Sequence, residues 1–145
     1  MAYDPAYQLS AEQLKNLIED SPFLSRFSYD LSMSNDNGLV TRLPFADRLI
    51  GNAIIKAIHG GVVASFLENT AWMEVSARLG VDISISPFTT TNDYLRPTEN
   101  HDLFGQAHVV KWGKRSVSVV ATAWQNNPDK PVSQASCHFL ISKKS

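Results

Sequence analysis

Apolar residues recur at two different periods along this chain, and the change of period marks out its elements. Leu14, Leu17 and Ile18 fall on one helical face behind Ser10 and Gln13, a pair three residues apart that can cap one another's amides. The spacing predicts an N-terminal helix over 8–20, stopped by Ser21-Pro22. From Phe27 to Met33 the pattern alternates loosely. Asn35-Asp36-Asn37-Gly38 then supplies residues that tolerate positive φ, and Leu39 to Leu43 reads as the returning strand. Residues 44–58 show no clear period, and a stretch of that length inside a small domain is often functional.

From His59 to Gly80 the period becomes helical. Val62, Val63, Phe66, Leu67, Ala71, Val75 and Leu79 cover more than half the circumference, and a glycine stands at the C-terminal end. A helix that apolar is wrapped by a sheet or a partner. Four strand-like runs follow: Phe88 to Leu95, Leu103 to Trp112, Ser116 to Trp124 and Val132 to Ile141, joined by short segments suited to antiparallel hairpins. The order helix, two strands, long helix, four strands is an α+β plan with one antiparallel sheet, and the sheet is expected to curl around the 59–80 helix. No internal repeat, low-complexity tract or linker interrupts the chain, so one domain over 1–145 is expected.

Composition narrows the class. The chain has 145 residues, 43% of them hydrophobic, which suffices for the core of one domain. Thirteen basic residues against 14 acidic ones leave a net charge of -1, so no positive field favours nucleic acid. The lone cysteine, Cys137, excludes an intramolecular disulfide and fits a reducing compartment; in the last strand pattern a buried structural thiol is the default. Met1 to Tyr7 lacks the basic and apolar regions of a leader, and no run of about 18 apolar residues occurs. A cytoplasmic protein with no membrane partner is expected. The histidines are His59, His101, His108 and His138, no two of them at i, i+4 spacing, so no metal site is expected. A Gly-x-Ser-x-Gly elbow is absent as well.

Two features carry candidate chemistry. Glu68 lies on the apolar helix with Ala64, Ser65, Ala71 and Trp72 one turn away and no cation to pair with, whereas Glu74 has Arg78 four residues on and reads as a solvated ion pair. Glu68 either points to water at an edge of the helix or stands in a pocket wall beside Trp72, where an ionised carboxylate is a usable base or nucleophile. His59-Gly60-Gly61 opens the same helix. The first amides of a helix are unpaired donors at the positive end of its dipole, which suits a developing oxyanion. The alternative is that two glycines simply make a sharp turn packed against a strand.

His-Gly-Gly with an acid nine residues after the His, a small-residue-rich helix, Tyr94-Leu95-Arg96-Pro97, and Ala107-His108-Val109-Val110-Lys111-Trp112-Gly113-Lys114-Arg115 together resemble the hotdog-fold acyl-CoA thioesterases of the PaaI-like and 4-hydroxybenzoyl-CoA type. The resemblance covers roughly residues 39–141 and implies a long central helix wrapped by a curved antiparallel sheet. It implies that Glu68 is the catalytic carboxylate, that the Gly60 amide polarises the thioester carbonyl with Gly61 beside it, and that His59 has a supporting role. It further implies an amide side chain ahead of the His. Asn52 is the candidate, seven residues before His59 where many relatives have six, and Lys56 replaces the usual Gly.

Eight helical residues span about 12 Å, so Gly60 and Glu68 of one chain can hardly touch one carbonyl. Two helices packed antiparallel about a two-fold axis would bring Glu68 of one protomer to Gly60 of the other. A homodimer is expected, with pairing into a tetramer left open. The substrate expected is a small-molecule acyl-CoA, with no separate cofactor. Arg96, Lys114 and Arg115 are the candidate contacts for its phosphates, although charged residues at turns are commonly just solvated. Trp72, Phe66 and Phe88 are candidates for the acyl wall. Two other readings stay open: a hotdog hydratase or dehydratase with His59 as base, and a non-catalytic acyl-CoA-binding module.

Overall fold

The computed structural model describes residues 4–22, 24–26, 28–34, 38–52 and 57–145. Helix α1 (Ala11–Asp20) begins with the capping box: the Gln13 amide donates to Ser10 Oγ at 3.1 Å and the Ser10 amide to Gln13 Oε1 at 2.8 Å. The expected start at residue 8 is corrected here. The amides of Gln8 and Leu9 donate instead to the Ala77 carbonyl, which pins this segment to the last turn of the long helix.

Strands β1 (Asp30–Ser34) and β2 (Gly38–Leu43) form the first hairpin, its tip at 35–37 lying outside the described residues. The aperiodic stretch 44–58 holds a 3-10 turn over Asp47–Leu49 and a small hairpin of β3 (Ile50–Asn52) and β4 (Ala57–Ile58). This second, two-stranded sheet departs from the single sheet expected. Its strands are too short to show a period.

Helix α2 (Gly60–Leu79) is followed by β5 (Ile83–Tyr94), β6 (Leu103–Trp112), β7 (Ser116–Trp124) and β8 (Ser133–Lys143). β5 starts five residues earlier than expected, because Ser84, Ser86 and Pro87 mask its first half; the proline is accommodated at a bulge between Pro87 and Thr89. The main sheet runs β1-β2-β6-β7-β8-β5, antiparallel throughout. This is the hotdog architecture, a long helix against a curved sheet.

Alternation along β7 and β8 sends Val117, Val119, Ala121, Ala123, Ala135, Cys137 and Phe139 into the core against Val63, Phe66, Leu67 and Ala71 of α2. The helix sits so close to β6 that a Cβ on Gly105 would come within 2.6 Å of the Phe66 ring. Phe66 is therefore a core residue with no open surface, not part of an acyl wall. Gly80 ends α2 at φ +83, a conformation that favours glycine.

The Glu74–Arg78 pair forms, at 3.1 Å, but it is not solvated: Glu74 is 4% exposed. The Tyr7 hydroxyl lies 2.8 and 2.9 Å from its two carboxylate oxygens and accepts from the Leu39 amide. Arg78 lies over the Tyr7 ring and donates to the Pro5 carbonyl. Burial pushes the Glu74 carboxyl above its ordinary value, opposed by the hydrogen bonds from Tyr7 and Arg78. A partner 67 residues away along the chain is invisible to a helical spacing rule.

Candidate functional site

The N-terminus of α2 is capped by its own histidine. His59 Nδ1 accepts from the Gly61 amide at 2.9 Å, while the His59 amide donates to the Leu49 carbonyl at 2.8 Å and ties the cap to the β3 hairpin. The two glycines then separate in role. A Cβ on Gly61 would press on the imidazole at 3.1 and 3.3 Å, so Gly61 serves the cap. A Cβ on Gly60 would meet Tyr94 at 3.6 Å, an ordinary contact, and Gly60 has no positive φ. Packing within the protomer does not require glycine at position 60. Its amide has no acceptor among the described residues and opens to solvent at the positive end of the helix dipole.

Glu68 stands two turns further along. Together with Gly61, Ala64, Ser65 and Trp72 it forms a stripe of α2 that the sheet leaves at least partly exposed. Thr90 of β5 donates to Glu68 Oε2 at 2.9 Å. Oε1 has no partner among the described residues and is free to take a proton. Directly across β8 from Thr90 is Cys137, whose thiol is pushed up to about 11, first by burial; the Thr90 hydrogen bond opposes this and the nearby Glu68 charge adds to it. The thiol stays protonated, in keeping with a structural role.

Three bonds fix α2 along β5: Tyr94 hydroxyl to Gly60 carbonyl at 3.0 Å, Thr90 to Glu68, and Trp72 Nε1 to the Ile85 carbonyl at 3.3 Å. Gly60 and Glu68 are thus about 12 Å apart by helical rise, and the four residue steps from Thr90 to Tyr94 span about 13 Å. Within one protomer they do not meet at a shared carbonyl.

Beside Gly60 a cavity of about 360 Å³ is lined by Ile58, Val63, Tyr94, Arg96, Pro97 and Val132, among others. Arg96 is at its rim, one guanidinium nitrogen held by the Pro131 carbonyl at 2.7 Å. Lys114 and Arg115 are exposed in the β6–β7 turn, at the end of the sheet where Ser116 pairs with Leu140. Seven residues of β8, about 23 Å, separate that end from Ser133 beside Tyr94. The three cations do not gather in one protomer. Phe88 is 68% exposed on β5 and lines no part of this cavity. The backbone of Asn52 lies in β3, and its side chain is outside the described residues.

Sequence reasoning missed Thr90, Asn92 and Tyr94 as a set. Their signal was an alternating row of polar groups, Thr-x-Asn-x-Tyr, on a strand whose neighbouring helix carries a carboxylate. Among the described residues no group of three His, Cys, Asp or Glu could hold a metal ion, and no helix is long and apolar enough to cross a membrane.

The comparisons with known proteins agree with this fold. The family model for the thioesterase superfamily matches residues 56–132, more than half of the chain, and the match includes Gly60, Glu68, Thr90 and Tyr94. No curated protein matches the chain. Among solved structures, a protein from Chromobacterium violaceum is similar at 26% identity and a TM-score of 0.74, over 92% of this chain and 93% of that one. A thioesterase from Haemophilus influenzae superposes at a TM-score of 0.81 with 15% identity, over 96% and 94% of the two chains. A Bacillus halodurans protein with CoA superposes at 0.74 with 18% identity, over 93% and 88%. The fold is shared with all three, and the chain belongs to the thioesterase superfamily.

Proposed function

We propose that the protein hydrolyses an acyl-CoA thioester to a carboxylic acid and free coenzyme A, at a site shared by two protomers, in the manner of the PaaI-like branch of the superfamily. The observation that carries this reading is the presence on one helix of two groups with open hydrogen-bonding positions among the described residues: a carboxylate oriented by Thr90 with one oxygen open, and the amide of a glycine that packing does not require.

The chemistry divides between them. The Gly60 amide of one protomer donates to the thioester carbonyl oxygen as it gains negative charge, assisted by the helix dipole. Glu68 of the other removes a proton from the water that attacks the carbonyl carbon, or attacks that carbon itself to form a mixed anhydride that water then hydrolyses to the free acid. Collapse of the tetrahedral intermediate breaks the C–S bond, and the coenzyme A thiolate leaves and takes up a proton. His59 orders the loop through its cap. No metal or organic cofactor takes part. The CoA in the Bacillus halodurans relative supports the ligand class. Arg96, which lines the Gly60 cavity, takes a phosphate of the ligand in this reading, with Lys114 and Arg115 serving a different stretch of it. The acyl chain runs against Trp72, with Phe88 brought up by the second protomer.

The test is thiol release from a panel of short, medium, long and aromatic acyl-CoAs. Glu68→Gln is expected to lose at least about 100-fold in kcat, the scale of general-base catalysis. Equal turnover by the variant, or none by the wild type across the panel, defeats the reading.

A further inference from the structure

Among the described residues, one side-chain bond reaches the Glu68 carboxylate, the one that Thr90 donates at 2.9 Å. A threonine hydroxyl carries a single proton and can turn it among three staggered directions. The bond is therefore only as steady as whatever sets that rotor.

Cys137 stands where the rotor can be set. It is paired directly with Thr90 across β8 and β5. The Ile141 amide donates to the Arg115 carbonyl on the β7 side, so alternation along β8 turns the backbone groups of Cys137 to β7 as well. Thr90 and Cys137 are thus a non-hydrogen-bonded pair, the kind with Cα atoms about 4.5 Å apart and the closest side chains. Both side chains lie on the α2 face of the sheet: Cys137 is buried in the core with Ala135 and Phe139, and Thr90 reaches Glu68.

The direction of the contact follows from the inventory of protons. The Thr90 hydrogen is on Glu68, so Oγ1 has only lone pairs to offer a neighbour, and the thiol must be the donor. Burial keeps that thiol protonated, its hydrogen bond with Thr90 notwithstanding. Val119 across β7 and Ala135 and Phe139 along β8 are buried hydrocarbon and give it no other acceptor. A thiol also suits the place. It is a weak donor that sits among apolar groups at little cost, where a serine hydroxyl would bring two lone pairs to satisfy.

We propose that Cys137 is a positioning residue for Glu68 and acts through Thr90: its thiol donates to Thr90 Oγ1, which commits the hydroxyl proton to Glu68 Oε2 and leaves Oε1 open. Hydrogen bonds in such a chain polarise one another, so the thiol strengthens the bond from Thr90 to the carboxylate as well as aiming it. The relay runs from the core to the open stripe of α2, and Cys137 itself stays beneath the site, out of reach of substrate.

The inference rests on Glu68 as the working carboxylate, yet its first test needs no activity. Cys137 is the only cysteine in the chain, so the S–H stretching band of the infrared spectrum has a single source. Thr90→Val is expected to move that band to the higher frequency of a thiol without an acceptor, and Thr90→Ser to leave it near the wild-type position. A band that ignores Thr90→Val overturns the relay. Kinetics reads the other half. Cys137→Ala should lower kcat roughly two- to tenfold, the scale of one ordinary hydrogen bond, with little change in KM, and Cys137→Ser should restore most of the loss. In a Thr90→Val chain the same Cys137→Ala should cost nothing further, because the residue it acts through is gone. The same loss in both backgrounds, or wild-type kcat in the single Ala variant, would make Cys137 a packing residue and overturn the proposal. If Cys137→Ala does not fold, the infrared band decides alone. A band that moves as expected in a protein inactive on every acyl-CoA would keep the relay and sink the hydrolase reading by itself.

Discussion

The hydroxyl of Thr90 donates to Oε2 of Glu68 at 2.9 Å, from a strand 22 residues further along the chain. The bond holds the carboxylate on the open stripe of α2 and leaves Oε1 as the acceptor. Hydrogen bonds to charged groups contribute about 1.5–3 kcal/mol, which is roughly ten- to a hundredfold in a rate. Thr90→Val should therefore lower kcat by about that factor with little change in KM, and Thr90→Ser should restore most of it. Steady-state kinetics on a good acyl-CoA substrate decides the matter, and a Val variant as active as the wild type would detach Thr90 from catalysis.

Glu74 gives a prediction about stability against pH. Burial holds its carboxyl above the ordinary value of 4.5 in the folded protein. The folded state then binds a proton where the unfolded state does not, so this group's contribution to stability is greatest below about pH 4.5 and declines as pH rises through the folded value. Glu74→Gln should flatten that slope in denaturant titrations from pH 4 to 7. Tyr7→Phe should act in another way, by removing the donor that the buried carboxylate relies on. A loss of about 1–3 kcal/mol at pH 7 is expected, with urea midpoints as the check.

Much of this architecture was legible from the chain alone because the signals are local. Ser10 and Gln13 cap within one turn; the apolar positions of α2 repeat within a few residues; β6 and β7 begin and end at the residues where their alternation does. What escaped depends on contacts distant in sequence. Glu74 reads as a surface residue until Tyr7 folds over it, Phe66 reads as a pocket residue until Gly105 closes on it, and the row Thr90-Asn92-Tyr94 gains meaning only when α2 is laid beside it. The Pro87 bulge hid the first half of β5 for a related reason, since its backbone is rescued by pairing with β8. The candidate site was half visible: the two groups proposed to react are in the sequence, but Thr90, which orients one of them, lies on β5 and reaches α2 only in the fold.

Gly60 separates stability from activity. Inside the protomer a methyl group there meets Tyr94 at an ordinary 3.6 Å, and no positive φ stands in its way. Alanine is the better helix former by roughly 0.5–1 kcal/mol in a helix interior, and somewhat less is expected in the first turn. On folding grounds alone, Gly60→Ala should leave the melting temperature unchanged or raise it slightly. Its catalytic effect should run the other way. The added methyl sits beside the amide proposed to meet the thioester oxygen, and removing one such donor from reach costs about 100- to 1000-fold in kcat. Thermal melts and thiol-release assays on the same preparation test both halves together. A variant that is at least as stable as the parent and nearly inactive is the expected result. Full activity would mean that the carbonyl is polarised elsewhere, and a large drop in stability would mean that the glycine answers to packing after all.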